Sequence, residues 1–171
     1  MKCDSRSGTR PDPTPERPLL MPKIIHRIGG FVAPLCIVLF WTSTALTELF
    51  GSHAAVAQLK SLIVTPGLWI LVPAIAMAGG SGMFMGKSRR GGLVDAKKKR
   101  MPFIAANGLL VLVPCAVMLD RWAAAGSFDS TFYLVQAIEL IAGPINLALM
   151  ALNVRDGLRM AGRLRPSPAR A

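Results

Sequence analysis

Polar side chains recur at a fixed interval in the last long apolar segment of the chain. Glu139, Asn146 and Asn153 stand seven residues apart, and Gln136 precedes the carboxylate by three residues. Residues at such spacings share one face of a helix. An ionisable or amide side chain that faces lipid costs several kcal/mol. This polar face is therefore expected to point into a helical bundle or toward another subunit.

Glu139 is the residue best placed for proton chemistry. It lies about eight residues, or roughly 12 Å, from the outer end of its apolar segment. Because no Lys or Arg falls within the apolar segments delimited below, the carboxyl group is expected to be protonated at neutral pH or ready to exchange a proton. Two interpretations stay open: a carboxylate that binds protons or cations, and a protonated acid that clamps helices together by hydrogen bonds. Trp41, Thr42 and Trp69 are expected at the same depth as its partners.

Two further pairs of residues could act together. Asn107 and Asn146 are predicted at nearly the same depth on different helices, which favours an interhelical amide pair with a structural role. Glu48 and His53 lie on either side of the outer end of the first apolar segment. A carboxylate and an imidazole so close could admit protons or form half of a metal site, but both are also ordinary residues at a membrane interface.

No residue pattern indicates catalysis or a bound cofactor. The glycine-rich run at residues 79–82 lies inside an apolar segment and not after a strand, so it is not a phosphate-binding loop. Three cysteines without a C-x-x-C pair and only two histidines argue against zinc and disulfides. His26 and His53 would stand about 40 Å apart along a helix, which removes bis-histidine haem ligation within one chain. We therefore expect no enzymatic activity, no metal and no cofactor.

Four long apolar segments must position these side chains. They predict membrane-spanning helices at about residues 28–50, 62–86, 102–119 and 131–154, each long enough for a hydrocarbon core of about 30 Å. We therefore predict an all-α membrane protein, a four-transmembrane-helix bundle in up-down-up-down order over residues 23–160. Residues 1–22, rich in Pro, Arg and Ser, are expected to be a disordered leader, and residues 161–171 a basic tail.

The basic residues indicate how the helices are oriented. Of the 20 Lys and Arg residues, 18 lie before the first segment, between the second and third segments, or after the fourth segment. The exceptions are Lys60 and Arg121, one in each of the other two connections. Because loops rich in Lys and Arg stay in the cytoplasm, both termini and the central connection are predicted to be cytoplasmic. Short connections and a composition rich in Ala and Arg favour a bacterial inner membrane.

The same charges indicate the partners. A net charge of +11 would suggest nucleic acid in a soluble protein, but here the charges flank apolar segments, where anionic lipid headgroups are closer. We expect contact with the lipid bilayer and no binding of nucleic acid. The residues assigned to headgroup contact are Arg89, Arg90, Lys97, Lys98, Lys99 and Arg100.

Small residues mark a second helix-packing surface. Ala74, Ala78, Gly82 and Gly86 recur every four residues and form what we call the small-residue seam, along which another helix can approach closely. With the polar face of the last helix, the seam favours a non-enzymatic integral membrane protein that forms a homo-oligomer or joins a larger membrane complex. A small proton-linked carrier or channel subunit that uses Glu139 is the alternative. A haem or quinone electron carrier is a weaker one.

Overall fold

The computed structural model describes residues 20–86, 92–160 and 162, and these residues are helical with no strand. Six α-helices and two π-helical turns follow one another along the chain. The α-helices are α1 Leu20–Phe50, α2 His53–Leu62, α3 Trp69–Gly86, α4 Gly92–Ala106, α5 Val113–Ala124 and α6 Ser130–Met160. Apart from residue 162, the basic tail lies outside the described residues, as does most of the predicted leader, and α1 begins inside the range expected for that leader.

Four helices are long and apolar enough to cross a membrane, as the sequence predicts. We call them the first to fourth spans: Ile24–Phe50, His53–Phe84, Val94–Ala124 and Ser130–Met160. The second span begins nine residues earlier than predicted, and the third extends beyond both predicted ends. The helices are longer than the predicted apolar segments because a charged residue does not by itself end a helix. Lys60 and residues 97–100 instead continue the helices.

The second and third spans are each interrupted by a π-helical turn. In the second span the turn is Ile63–Leu68, where Thr65 leaves the helical conformation with φ −136° and ψ 108°. Pro66 follows it, and a residue before proline is biased toward extended backbone. In the third span the turn is Asn107–Leu112, with helical backbone at both of its caps. Such turns interrupt regular helical hydrogen bonding and are common at functional sites.

Two short connections lie at one end of the bundle. The first is Gly51 and Ser52, where the Ser52 hydroxyl accepts a hydrogen bond from the Ala55 amide at 3.3 Å and so caps α2. The second is residues 125–129, where Gly126 has a φ of +71° after the end of α5. We call this end of the bundle the hairpin end. The opposite end, where α1 begins and α6 ends, is called the terminal end.

The first and second spans make the closest helix contact. A Cβ atom added at Gly29 would lie 2.6 Å from the Ala74 carbonyl oxygen and 2.8 Å from the Ala78 amide nitrogen. The two backbones therefore touch, which only small residues allow. The buried apolar side chains form two clusters, one toward each end. They are Ala33, Ile37, Leu71, Ala74, Ile104 and Met150 toward the terminal end, and Val56, Leu119, Ala123 and Phe132 toward the hairpin end.

Candidate functional site

A buried ion pair joins the second and fourth spans. Lys60 Nζ lies 2.5 Å from Glu139 Oε2, and the two side chains are only 1% and 15% exposed. Gln136 Nε2 donates a second hydrogen bond to the same carboxylate oxygen at 3.1 Å. Both charges lie about two to three helical turns from the hairpin end, or roughly 10–14 Å along the helices. Removing two charges from water is costly, and the attraction between the paired charges offsets part of that cost.

This pair corrects the expectation that Glu139 has no cationic partner and is therefore protonated. The sequence predicts Lys60 in a connection, because a charged residue commonly marks the end of a membrane span. In the structure α2 begins at His53, and Val56 and Lys60, one helical turn apart, both face the bundle interior. That four-residue spacing was the sequence signal for a buried lysine. The lysine can leave water because a carboxylate on the fourth span neutralises it.

The three side chains expected to hydrogen-bond to Glu139 do not do so. The Trp41 indole N–H donates to the Leu140 carbonyl at 2.9 Å, and Thr42 bonds to the Val38 carbonyl of its own helix at 2.7 Å. Trp69 is 76% exposed. The Trp41 bond has a clear cause: Pro144 has no N–H for the carbonyl four residues before it, which is Leu140. Trp41 therefore supplies a hydrogen bond that the proline removes.

Glu48 is a second carboxylate near the ion pair. Its Oε1 atom is buried and has no hydrogen-bond partner among the described residues. Its charge interacts with those of Lys60, Glu139 and His53. The His53 ring stacks on Phe128, with ring centroids 4.1 Å apart. Across the described ranges no group of three or more His, Cys, Asp or Glu side chains is arranged to hold a metal ion.

A second ion pair joins the third and fourth spans near the terminal end. Arg100 Nη1 donates to Asp156 Oδ2 at 2.6 Å, and Asp156 is 1% exposed. Arg155 lies 3.4 Å from the other oxygen of the same carboxylate. Arg100 was expected to contact lipid headgroups, but its guanidinium group is engaged inside the bundle because Asp156 needs a counter-ion there.

The other residues expected at headgroups differ in exposure. Lys98 and Lys99 are exposed, whereas Lys97 is half-buried beside the fourth span, close to Gly157. Arg89 and Arg90 lie outside the described residues. Only Lys98 and Lys99 of the described members are therefore exposed to the surroundings of the bundle.

The polar face of the fourth span points into the bundle. Gln136, Asn146 and Asn153 are buried, at 3%, 0% and 7% exposure. Asn107 was expected to pair with Asn146, but the two side chains are not hydrogen-bonded to each other. The Asn107 amide nitrogen donates to the Ala142 carbonyl at 3.0 Å. Asn107 begins the π-helical turn of the third span, and from there its side chain reaches the backbone of α6, one turn before Asn146.

The small-residue seam packs against the first span. Ala74 and Ala78 lie against Gly29, and Gly82 lies beside His26. The His26 ring donates from Nδ1 to the Ala78 carbonyl at 3.0 Å. Gly86 ends α3, and its surroundings lie outside the described side chains. These residues of the small-residue seam therefore pack against the first span of the same chain.

A cavity lies between the two apolar clusters and is lined by all four spans. It offers about 60 Å³ in which the centre of a water molecule could lie. Its walls are mostly aliphatic and aromatic, and Thr44, Glu139 and Asn146 are its polar side chains. Both π-helical turns contribute to the lining, the second span with Ile63 and Leu68 and the third with Gly108, Leu109 and Leu112. The two irregular segments therefore meet at the same place as the polar face.

Four apolar helices packed as a bundle around this site define the class of the molecule: a multi-pass membrane protein. Comparison with protein-family models, with curated proteins and with solved structures gives no match.

Proposed function

We propose that the protein is a small proton-linked carrier or channel subunit in which Glu139 exchanges protons while paired with Lys60. The observation that carries the proposal is the Lys60–Glu139 pair at the cavity shared by all four spans. Ionisable residues at membrane depth are costly and commonly mark ion or proton pathways. The proposed activity moves a proton and breaks no covalent bond in a substrate, so the protein is not an enzyme.

Glu48 supplies the second part of the proposed proton site. Glu48 and Glu139 are two carboxylates near the single ammonium group of Lys60. With all three groups charged, the cluster would carry one uncompensated negative charge in a medium that disfavours it. Binding of one proton to either carboxylate would remove that charge. The cluster can therefore take up a proton on the hairpin side and release it toward the cavity.

We further propose that the spans run up-down-up-down with both termini in the cytoplasm of a bacterium, across its inner membrane. Lys60 pairs inside the bundle, so Arg121 is left as the basic residue nearest the hairpin end. The two connections there, residues 51–52 and 125–129, contain no Lys or Arg. This distribution supports an orientation with the hairpin end outside the cytoplasm. Anionic headgroups at the opposite surface would then be the partners of Lys98 and Lys99.

Proton movement can be measured in liposomes that contain the purified protein and a trapped pH-sensitive dye. A potassium diffusion potential drives protons inward, and the rate of dye response reports the flux. We expect flux in the wild type and its loss in the Lys60→Gln, Glu139→Gln double variant. That variant removes both charges, so no buried charge is left without a partner.

Lys98→Gln is the matched control, because it removes an exposed lysine that takes no part in the site. Its flux should equal that of the wild type. Circular dichroism should show the same helix content in all three proteins. The proposal is wrong if the wild type carries no protons above empty liposomes, or if the double variant carries them as fast as the wild type.

A second proposal is a non-enzymatic subunit that forms a homo-oligomer or joins a larger membrane complex. It is supported by Gly79 and Gly80 in α3, where an added Cβ would meet no described atom within 4 Å. Another helix could approach closely at this uncovered backbone. Native mass spectrometry of the preparation used for the flux measurement tests it. A defined oligomer or a co-purifying subunit would support this proposal, and a bare monomer would refute it.

A further inference from the structure

We infer that the cavity between the four spans binds an uncharged, lipid-soluble molecule with a hydroxyl or carbonyl group at one end of an apolar body. The juxtaposition that leads to this inference is a fully buried amide, Asn146, inside an apolar cavity that reaches the lipid-facing surface. The inference goes beyond proton exchange at Glu139 and does not require it.

Asn146 provides the polar anchor of the proposed site. Its side chain is 0% exposed, it lines the cavity, and neither its amide nitrogen nor its amide oxygen has a hydrogen-bond partner among the described residues. Buried amide groups in proteins are almost always hydrogen-bonded, because an unsatisfied one is destabilising. A ligand hydroxyl can donate to the oxygen and accept from the nitrogen, whereas a ligand carbonyl can accept from the nitrogen.

The walls of the cavity restrict the rest of the ligand to an apolar body. Apolar side chains from the first three spans line it, among them Ile37, Phe40, Leu71, Leu109 and Leu112. An ion or a sugar would lose its hydration there without enough polar partners to replace it. The one carboxylate in the lining, Glu139, is already paired with Lys60. Charged and strongly polar ligands are therefore excluded.

The cavity has a route to the lipid phase. Trp41 and Leu109 both line it, yet they are 38% and 49% exposed at the surface of the bundle. In a membrane that surface is in contact with acyl chains. A lipid-soluble molecule can therefore enter from the side, with its polar end at Asn146 and its apolar body directed toward the opening.

Two glycines line the cavity beside the anchor. A Cβ at Gly143 would lie 3.1 Å from Trp41 Cδ1, and one at Gly108 would lie 3.9 Å from Asn146 Nδ2. A larger side chain at Gly108 would thus occupy the volume next to the amide without first colliding with backbone. Gly108→Val is for this reason a second way to block the site, independent of any change at Asn146.

Quenching of tryptophan fluorescence by a brominated ligand tests the inference. The probe is ω-bromoundecanol, added to the full chain in lipid nanodiscs. Replacement of Trp69 and Trp122 by Phe leaves Trp41 in the cavity wall as the reporter. Replacement of Trp41 and Trp122 leaves Trp69, which is 76% exposed and reports the lipid phase. Bromoundecane, which has no hydroxyl group, serves as the matched probe.

We expect Trp41 quenching to saturate with ω-bromoundecanol, and Trp69 quenching to rise linearly with the amount of probe in the lipid. Asn146→Leu should raise the half-saturating concentration about tenfold, as expected for the loss of hydrogen bonds to the ligand. Gly108→Val should abolish saturation, and it provides the test if the Asn146 variant does not fold. Bromoundecane should not saturate.

Linear quenching of Trp41, or saturation that neither Asn146→Leu nor Gly108→Val alters, would overturn the inference. The outcome is separable from that of the proton proposal. Quenching of Trp41 by ω-bromoundecanol is measured without a proton gradient, so in the wild type it should saturate whether or not the protein carries protons.

Discussion

At the scale of single residues, Lys60 and Glu139 are stable in the bundle interior only as a pair. Lys60→Met should lower the free energy of unfolding by about 3–5 kcal/mol, because it leaves the Glu139 carboxylate buried without its cation. The double change Lys60→Met, Glu139→Leu should restore most of that loss, because two apolar side chains need no counter-ion. Unfolding with sodium dodecyl sulfate in mixed micelles, followed by circular dichroism, measures both values.

Lys98→Met is the control for this cycle, since it removes a lysine that is exposed at the other end of the bundle. It should change the unfolding free energy by no more than about 0.5 kcal/mol. Glu139→Leu alone completes the cycle. If the losses from Lys60→Met and Glu139→Leu add up to the loss of the double variant, Lys60 and Glu139 do not stabilise each other, contrary to the 2.5 Å contact.

The residue types and spacings group the polar face of the fourth span, but they do not identify its partners. The seven-residue interval puts Glu139 and Asn146 on one side of a helix, whatever the other helices do. That Lys60 reaches Glu139, and that Asn107 bonds to a backbone carbonyl, depends on where three helices meet. A hydropathy profile predicts that a span ends near a lysine, because it averages the hydropathy of single residues. It cannot include a counter-ion that lies on another span.

At the scale of elements, the first and second spans depend on a backbone contact at Gly29. Gly29→Leu should lower the free energy of unfolding by about 1–3 kcal/mol, because its Cβ would meet the Ala74 carbonyl oxygen at 2.6 Å. Gly30→Leu is the matched control on the same helix. A Cβ at Gly30 would meet no described atom within 4 Å, so this change should be near neutral. Detergent unfolding distinguishes them, and equal losses in the two variants would contradict this packing.

The four helices themselves follow from the sequence, since long apolar segments require helical backbone in lipid. Their ends do not, because α2 and α4 carry charges while remaining helical. The π-helical turn at Asn107–Leu112 has no proline in it, and its only sequence signal is the pair Asn107-Gly108, which disfavours regular helix. That pair does not predict a π-helical turn, because the form of the interruption depends on how the third span fits against the fourth.

At the scale of the whole molecule, charge is divided between the two ends of the bundle. Lys97, Lys98 and Lys99 lie in the third span near the terminal end, whereas the connections at the hairpin end carry no basic residue. Lys60 does not offset this difference, because Glu139 neutralises it inside the bundle. The division can therefore direct insertion of the spans and supports one orientation in the membrane.

A cysteine introduced at each end measures that orientation. With Cys3, Cys36 and Cys115 replaced by Ser, Ser127→Cys in the connection at residues 125–129 should react with a membrane-impermeant maleimide in intact bacterial spheroplasts. Lys98→Cys, exposed near the other end, should react only after the membrane is permeabilised. The reason is that the Lys- and Arg-rich end stays in the cytoplasm. The reverse pattern of labelling would show the opposite orientation, and the proposed proton site at Lys60 and Glu139 would then lie nearer the cytoplasm.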